Sequence, residues 1–129
     1  MITVDSSVWI AHMRGHRTPA VARLEALVAV EPIVVGDLVL LELLQGARDD
    51  SHADRIERAL RRFEVVRMLD DGIAVRAAAH FRHLRAMGVT IRRTTDLIIG
   101  TWCIEAGCRL LHDDRDFDPM ARHLGLVVA

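Results

Sequence analysis

The chain contains no lysine and no tyrosine. All 17 of its basic residues are arginine. Chemistry that requires a lysine is thereby excluded, including a phosphate-binding P-loop and a lysine Schiff base. Phospho-receiver domains, which pair an acidic cluster with a lysine, are disfavoured on the same ground. Arginine remains, and its planar fork suits bidentate contact with phosphate. With aromatics at only 4%, platforms for base stacking are few. Cysteine is scarce too. Cys103 and Cys108 lack C-x-x-C spacing, and two cysteines alone make no zinc framework. Core or half-buried thiols are expected. No apolar run approaches the ~18 residues a membrane span needs. The N-terminus shows no basic n-region and no small-residue cleavage site, so a cytosolic protein is expected.

What is present suits one α/β domain over residues 1–129. Hydrophobic residues make up 51% of the chain, which excludes full disorder. A domain near this size buries roughly two-thirds of the surface of its unfolded chain, enough for a core without disulfides. The net charge of −1 shows that the chain as a whole is no basic magnet for nucleic acid.

Short apolar runs alternate with helical patterns. Ile2–Val4 reads as a strand leading into Asp5, and Ser6 or Ser7 can cap a helix to about Met13. Thr18 caps a second helix, with Pro19 at its first position. "EPIVVGD" reads as a buried strand, and Asp37 caps the helix "LVLLELLQGA". "DDSHADRIERALRRF" has helical period, with Arg55, Arg58, Arg61 and Arg62 on its solvated side. "EVVRML" reads as a short strand, followed by a long helix ending at Gly88. "TTDLIIGTWCIEAG" is an apolar helix capped by Thr94 or Thr95. "CRLLH" is a strand, "DDRDFDP" a loop, "MARHL" a helical turn and "GLVVA" a last strand. Strands alternating with helices predict a parallel sheet. Trp9 and Trp102 are expected in the core.

Carboxylates sit in unusual places. Asp5 directly follows the first strand, where burial of a charge is costly. Asp113, Asp114 and Asp116 follow the strand "RLLH". Ligands in open parallel sheets bind outside the carboxyl ends of strands, so both groups point to one edge. Glu42 lies between leucines inside an apolar helix, with no arginine partner evident nearby. Asp96 stands in the first turn of another apolar helix. Each has a plain structural reading: Asp5 as an N-cap, Asp96 as a complement to the helix dipole, and the "DDRDFD" acids as a solvated turn. Together they read differently. Carboxylates sharing a cleft repel one another unless a cation neutralises them. A site made only of oxygen ligands suits Mg²⁺ or Mn²⁺ rather than zinc. Such a site binds phosphates, activates water and steadies a leaving oxygen.

"VDSSVWI", "LVLLELLQGAR", "TTDLIIGTWC" and "LLHDDRDFDPMARHLGLVV" come in an order and at a spacing that span almost the whole chain. In these stretches the sequence resembles the PIN-domain ribonucleases, and specifically the VapC toxins of bacterial toxin–antitoxin pairs. The resemblance implies a three-layer α/β/α sandwich around a short-stranded parallel sheet. It implies Mg²⁺- or Mn²⁺-dependent endonucleolytic cleavage of RNA. In-line attack by metal-activated water is expected to leave 5′-phosphate and 3′-hydroxyl ends, and with few aromatics for stacking a structured RNA such as tRNA or rRNA is the expected substrate. The resemblance also implies a homodimer held in check by a VapB-type antitoxin. By motif, Asp5, Glu42, Asp96, Asp114 and Asp116 are the metal-site and catalytic acids, with Asp5, Asp96 and Asp114 most direct. Ser6 stands where the family often has Thr, and it keeps the hydroxyl. His112 also stands where Thr is frequent, which leaves open how the loop before Asp114 is held. Arg92, Arg93 and Arg115 are candidates for contacts to the RNA backbone, or for plain surface solubility.

Other constellations carry less. His80 and His83 have the i, i+3 spacing of a metal pair but no third ligand in view. Ser6 and Ser7 lack the His–Asp arrangement of a nucleophilic serine. The "RIERALRRF" helix is diluted by Asp54 and Glu57, and reads as a salt-laced surface. The alternatives to a toxin are a housekeeping PIN nuclease without an antitoxin and a non-catalytic binding module. A phosphatase would want D-x-D at the first strand, where this chain has "DSS".

Overall fold

Ile2, Thr3 and Val4 are all buried, and so are all four of Ile33–Gly36. Strands without polar alternation are covered on both faces, as in parallel sheets flanked by helices. The structure, a computed structural model, describes residues 1–129. Its elements run β1 (Ile2–Val4), α1 (Ser6–Met13), α2 (Pro19–Val28), β2 (Ile33–Gly36), α3 (Asp37–Gln45) and α4 (Asp50–Leu60). They continue as β3 (Glu64–Val66), α5 (Asp71–Ala86), α6 (Thr94–Ala106), β4 (Arg109–Leu111), a 3₁₀ turn (Arg115–Phe117) and α7 (Asp118–His123). All strand pairs are parallel, in the order β3-β2-β1-β4. This is the PIN-like α/β/α sandwich with a short-stranded parallel sheet that the sequence led us to expect.

Helix character follows burial. In α6 every residue from Asp96 to Thr101 is buried, as expected for a helix that is apolar all round. Helix α4 buries only Ile56 and Leu60 and turns its arginines to solvent. Gly88 (φ 83°) stops the chain after α5, and Gly107 (φ 64°) ends α6 in the left-handed conformation that glycine adopts without strain.

Helix α1 is capped by Asp5, as the plain structural reading of that residue has it, rather than by Ser6 or Ser7. The other helix starts differ from the sequence expectation. Helix α3 begins at Gly36 without a side-chain cap, because Asp37 is engaged elsewhere: its Oδ1 accepts the Met68 N–H at 3.1 Å. Helix α6 starts from Arg93, and neither Thr94 nor Thr95 caps it. The expected last strand reduces to a single bridge, Leu110 with Val128. Gly125 turns the chain with φ 82°, leaving too short a tail for a ladder. Trp9 is buried against Phe63, 5.6 Å between ring centroids, whereas Trp102 is only half-buried. No helix is long and apolar enough to cross a membrane.

Candidate metal centre

The chain leaves β1 toward β2 on one side, while β4 lies on the other. The carboxyl ends of β1 and β4 therefore form the switch point where open parallel sheets bind ligands. Val4 pairs with Leu111, and the Asp5 N–H donates to the Leu111 carbonyl at 2.9 Å. The register thus sets Asp5 beside the loop that carries Asp113, Asp114 and Asp116.

Asp5 is both a cap and a site acid. Its Oδ2 accepts the Ser7 N–H at 3.1 Å and the Ser7 hydroxyl at 2.6 Å. The same hydroxyl accepts the Asp113 N–H at 3.2 Å. Ser7 thereby ties the end of β1 to the loop after β4. The sequence offered Ser7 only as a helix cap; the available signal for its place beside Asp5 was the preference of an Asp side chain to accept the N–H two residues on.

The loop holds itself in shape. Asp114 Oδ1 accepts the Asp116 N–H at 2.9 Å, closing the 3₁₀ turn. His112 Nδ1 accepts the Asp114 N–H at 3.2 Å, and its ring packs on Phe117 at 5.0 Å. Here an imidazole acceptor does the holding.

Asp96, on the first turn of α6, is 2% exposed. Ligand oxygens of Asp96, Asp114 and Asp116 all lie within 4.8 Å of one another. Asp5 and Glu42 stand on the flank of this cluster rather than inside it. Burial first, then the charges of Asp5, Asp114 and Glu42, push the Asp96 carboxyl up to about 7 against the pull of Arg93. Burial and then the charge of Asp5 likewise raise Glu42, against the pull of Arg93. Two arginines answer part of the negative charge. Arg92 Nη2 reaches Asp116 Oδ1 at 3.0 Å and Oδ2 at 3.3 Å, and Arg93 Nη2 lies 3.9 Å from Asp114 Oδ2. Arg115 is exposed and makes no ion pair.

Three carboxylate oxygens remain buried without a hydrogen-bond partner: Asp5 Oδ1, Glu42 Oε1 and Asp96 Oδ2. Buried acceptors are ordinarily satisfied. An all-oxygen set with unmatched lone pairs fits a hard dication such as Mg²⁺ or Mn²⁺. No such set forms at His80, whose Nδ1 is 3.0 Å from the Thr101 hydroxyl, nor at exposed His83.

A four-stranded parallel sheet that gathers carboxylates at its switch point defines a class of α/β protein equipped to hold a divalent cation at the sheet edge. This chain belongs to the PIN-domain family, whose domain it matches over residues 2–123, and within it to the VapC ribonucleases. VapC ribonuclease Mb1587 of Mycobacterium bovis and ribonuclease VapC11 of Mycobacterium tuberculosis are each 33% identical over 132 residues, covering 100% of this chain and 98% of theirs. Among solved structures, VapBC2 from Rickettsia felis bound to a promoter DNA fragment is similar, with a TM-score of 0.77 and 19% identity, covering 100% of this chain and 98% of that one. DNA-bound VapBC from Salmonella typhimurium has a TM-score of 0.74 and 17% identity, with the same coverage. At such identities these structural likenesses speak to the fold.

Proposed function

We propose that this chain is a metal-dependent endoribonuclease acting as the toxin of a toxin–antitoxin pair. The observation that carries the reading is the convergence of Asp96, Asp114 and Asp116 at the switch point, beside buried carboxylate oxygens with no partner. Asp96, Asp114 and Asp116 would hold Mg²⁺ or Mn²⁺, with Asp5 completing the site. A divalent ion bound there supplies Lewis acidity toward a phosphoryl oxygen and lowers the pKa of water. Glu42 lies outside the three-acid cluster and has a raised pKa, so it is the acid placed to accept a proton. Arg92 and Arg93 moderate the charge of the loop acids, and exposed Arg115 faces incoming phosphates.

The antitoxin reading rests on a second surface. A cavity of about 330 Å³ between α1, α2 and α4 is lined by Trp9, Met13, Leu24, Val28, Leu60 and Phe63. Trp9 Nε1 is buried there without an acceptor. An amphipathic helix of a small partner suits this cleft, supplying apolar cover and a carbonyl for the indole. The Rickettsia and Salmonella neighbours are VapBC assemblies, which supports a VapB-type partner. A cytoplasmic homodimer completes the reading, and sedimentation of the purified chain tests the dimer.

The deciding experiment incubates total cellular RNA with purified protein under Mg²⁺, Mn²⁺ or chelator, alongside Asp96→Asn. Discrete fragments with 5′-phosphate ends are expected, absent with chelator and reduced more than ~100-fold in the variant, since even outer-shell changes at metal sites cost 10–100-fold. Fragments ending in 2′,3′-cyclic phosphate would refute this mechanism, because the 2′-hydroxyl would then be the nucleophile.

A further inference from the structure

RNA is a polyanion and the centre is itself acidic, so substrate needs cations that the centre's own carboxylates do not already match. Arg92 and Arg93 are matched, to Asp116 and Asp114. Arg14 and Arg48 form no ion pair. Both line a cavity of about 270 Å³ between α1, α3 and α4, and Glu42 lines it too. Through Glu42 the cavity adjoins the flank of the acidic centre.

His52 lines the same cavity and adds a third donor. Its Nδ1 accepts the Arg48 N–H at 3.1 Å, so the neutral ring carries its proton on Nε2. Ile10 and Met13 form an apolar wall, with 37% and 40% of their surfaces exposed. A cationic rim, an apolar wall and one end at the acidic centre match the parts of a nucleotide. Guanidinium forks take the phosphate, and the wall takes the base.

We infer that this cavity is a nucleotide subsite, holding the RNA nucleotide adjacent to the scissile phosphate through Arg14, Arg48 and His52. The inference rests on the endoribonuclease reading above. The subsite positions substrate and leaves the chemistry to the acids.

The test compares wild type with Arg14→Gln/Arg48→Gln and Arg14→Lys/Arg48→Lys. Binding of a labelled single-stranded oligoribonucleotide is followed by fluorescence anisotropy at several salt concentrations. Hydrolysis of bis(4-nitrophenyl) phosphate, which reaches only the metal centre, is measured in parallel, and circular dichroism confirms folding. The Gln pair should weaken RNA binding about tenfold and make the salt dependence shallower by roughly one unit of slope. It should leave hydrolysis of the small diester unchanged. The Lys pair should restore the slope, though not all of the affinity. RNA affinity and slope that stay at wild-type values overturn the subsite, even if an antitoxin then binds more weakly. Equal loss on both substrates also overturns it, because the arginines would then be supporting the centre. If wild type binds the oligoribonucleotide but hydrolyses neither substrate, the nuclease reading fails while the anisotropy data still judge the subsite.

Discussion

Ser7 shows how much of the centre depends on a residue that bears no charge. Its hydroxyl donates to Asp5 at 2.6 Å and accepts from the Asp113 backbone at 3.2 Å, so one oxygen links the two sides of the switch point. Ser7→Ala removes both bonds and leaves Asp5 Oδ2 held only by the backbone N–H of residue 7. Affinity for Mn²⁺, followed by paramagnetic resonance, should fall 10–100-fold, the usual effect of losing a support behind a metal ligand. Ser7→Thr should retain most of it. Arg92 acts in the opposite sense. It is 78% exposed and holds Asp116, which is 19% exposed, so a cation bound by Asp116 would compete with the guanidinium for one carboxylate. An exposed pair is worth at most about 1 kcal/mol, so Arg92→Gln should tighten Mn²⁺ binding by no more than about fivefold. The acids themselves were legible in the sequence, because a carboxylate after a buried strand or within an apolar helix is costly unless something matches it. Ser7 was not, since its second bond joins residues 106 positions apart. Nor was the division among the acids: only the fold shows Asp116 inside the three-acid cluster and Asp5 on its flank.

At the scale of elements, α6 is the member on which the centre depends. It brings Asp96 to the site and passes close to α7, which follows directly from the loop acids. Gly100 marks the contact: a Cβ built there would stand 2.5 Å from the Met120 side chain, itself fully buried. A methyl can be accommodated by movement of the flexible Met120 end. Gly100→Val cannot be, because Cγ atoms would press into the core. Overpacking of this kind costs roughly 1–3 kcal/mol, so thermal unfolding should occur several degrees lower than in wild type. Mn²⁺ affinity should fall with it, as α7 and the 3₁₀ turn shift outward; unchanged affinity would mean that α7 moves without the loop. The helix was evident from its apolar run, but the contact was not, because it joins residues on different elements. The caps were misplaced for a related reason. Asp37 has the chemistry of a cap, yet the end of β3 lies close enough to claim its carboxylate for Met68. The strands, in contrast, were plain from unbroken apolar runs, and only the terminal one failed, where Gly125 shortens it.

Across the whole molecule, the acidic centre links folding to protons. Asp96 titrates at about 7 in the fold and near 3.9 in an unfolded chain. Between those values the folded protein keeps a proton that the unfolded chain has released. Stability without metal is therefore highest on the acid side of this window and falls as pH rises from about 4 to about 7. Glu42 is shifted in the same direction and adds to the fall. Glu31, lowered by its bond to Arg109, works the other way, but its contribution fades only below the ordinary carboxylate range. A divalent ion held by the ionised centre would offset this fall, adding about 2.7 kcal/mol when present at a hundred times its Kd. Metal-free protein should lose roughly 10 °C of Tm between pH 5 and pH 8, and saturating Mg²⁺ should remove most of that loss, as scanning calorimetry would show. Asp96→Asn should flatten the metal-free profile and abolish most of the response to Mg²⁺. A flat profile in wild type would mean that Arg93 alone suffices to match ionised Asp96, and the case for a cation as the missing partner of the buried oxygens would fall with it.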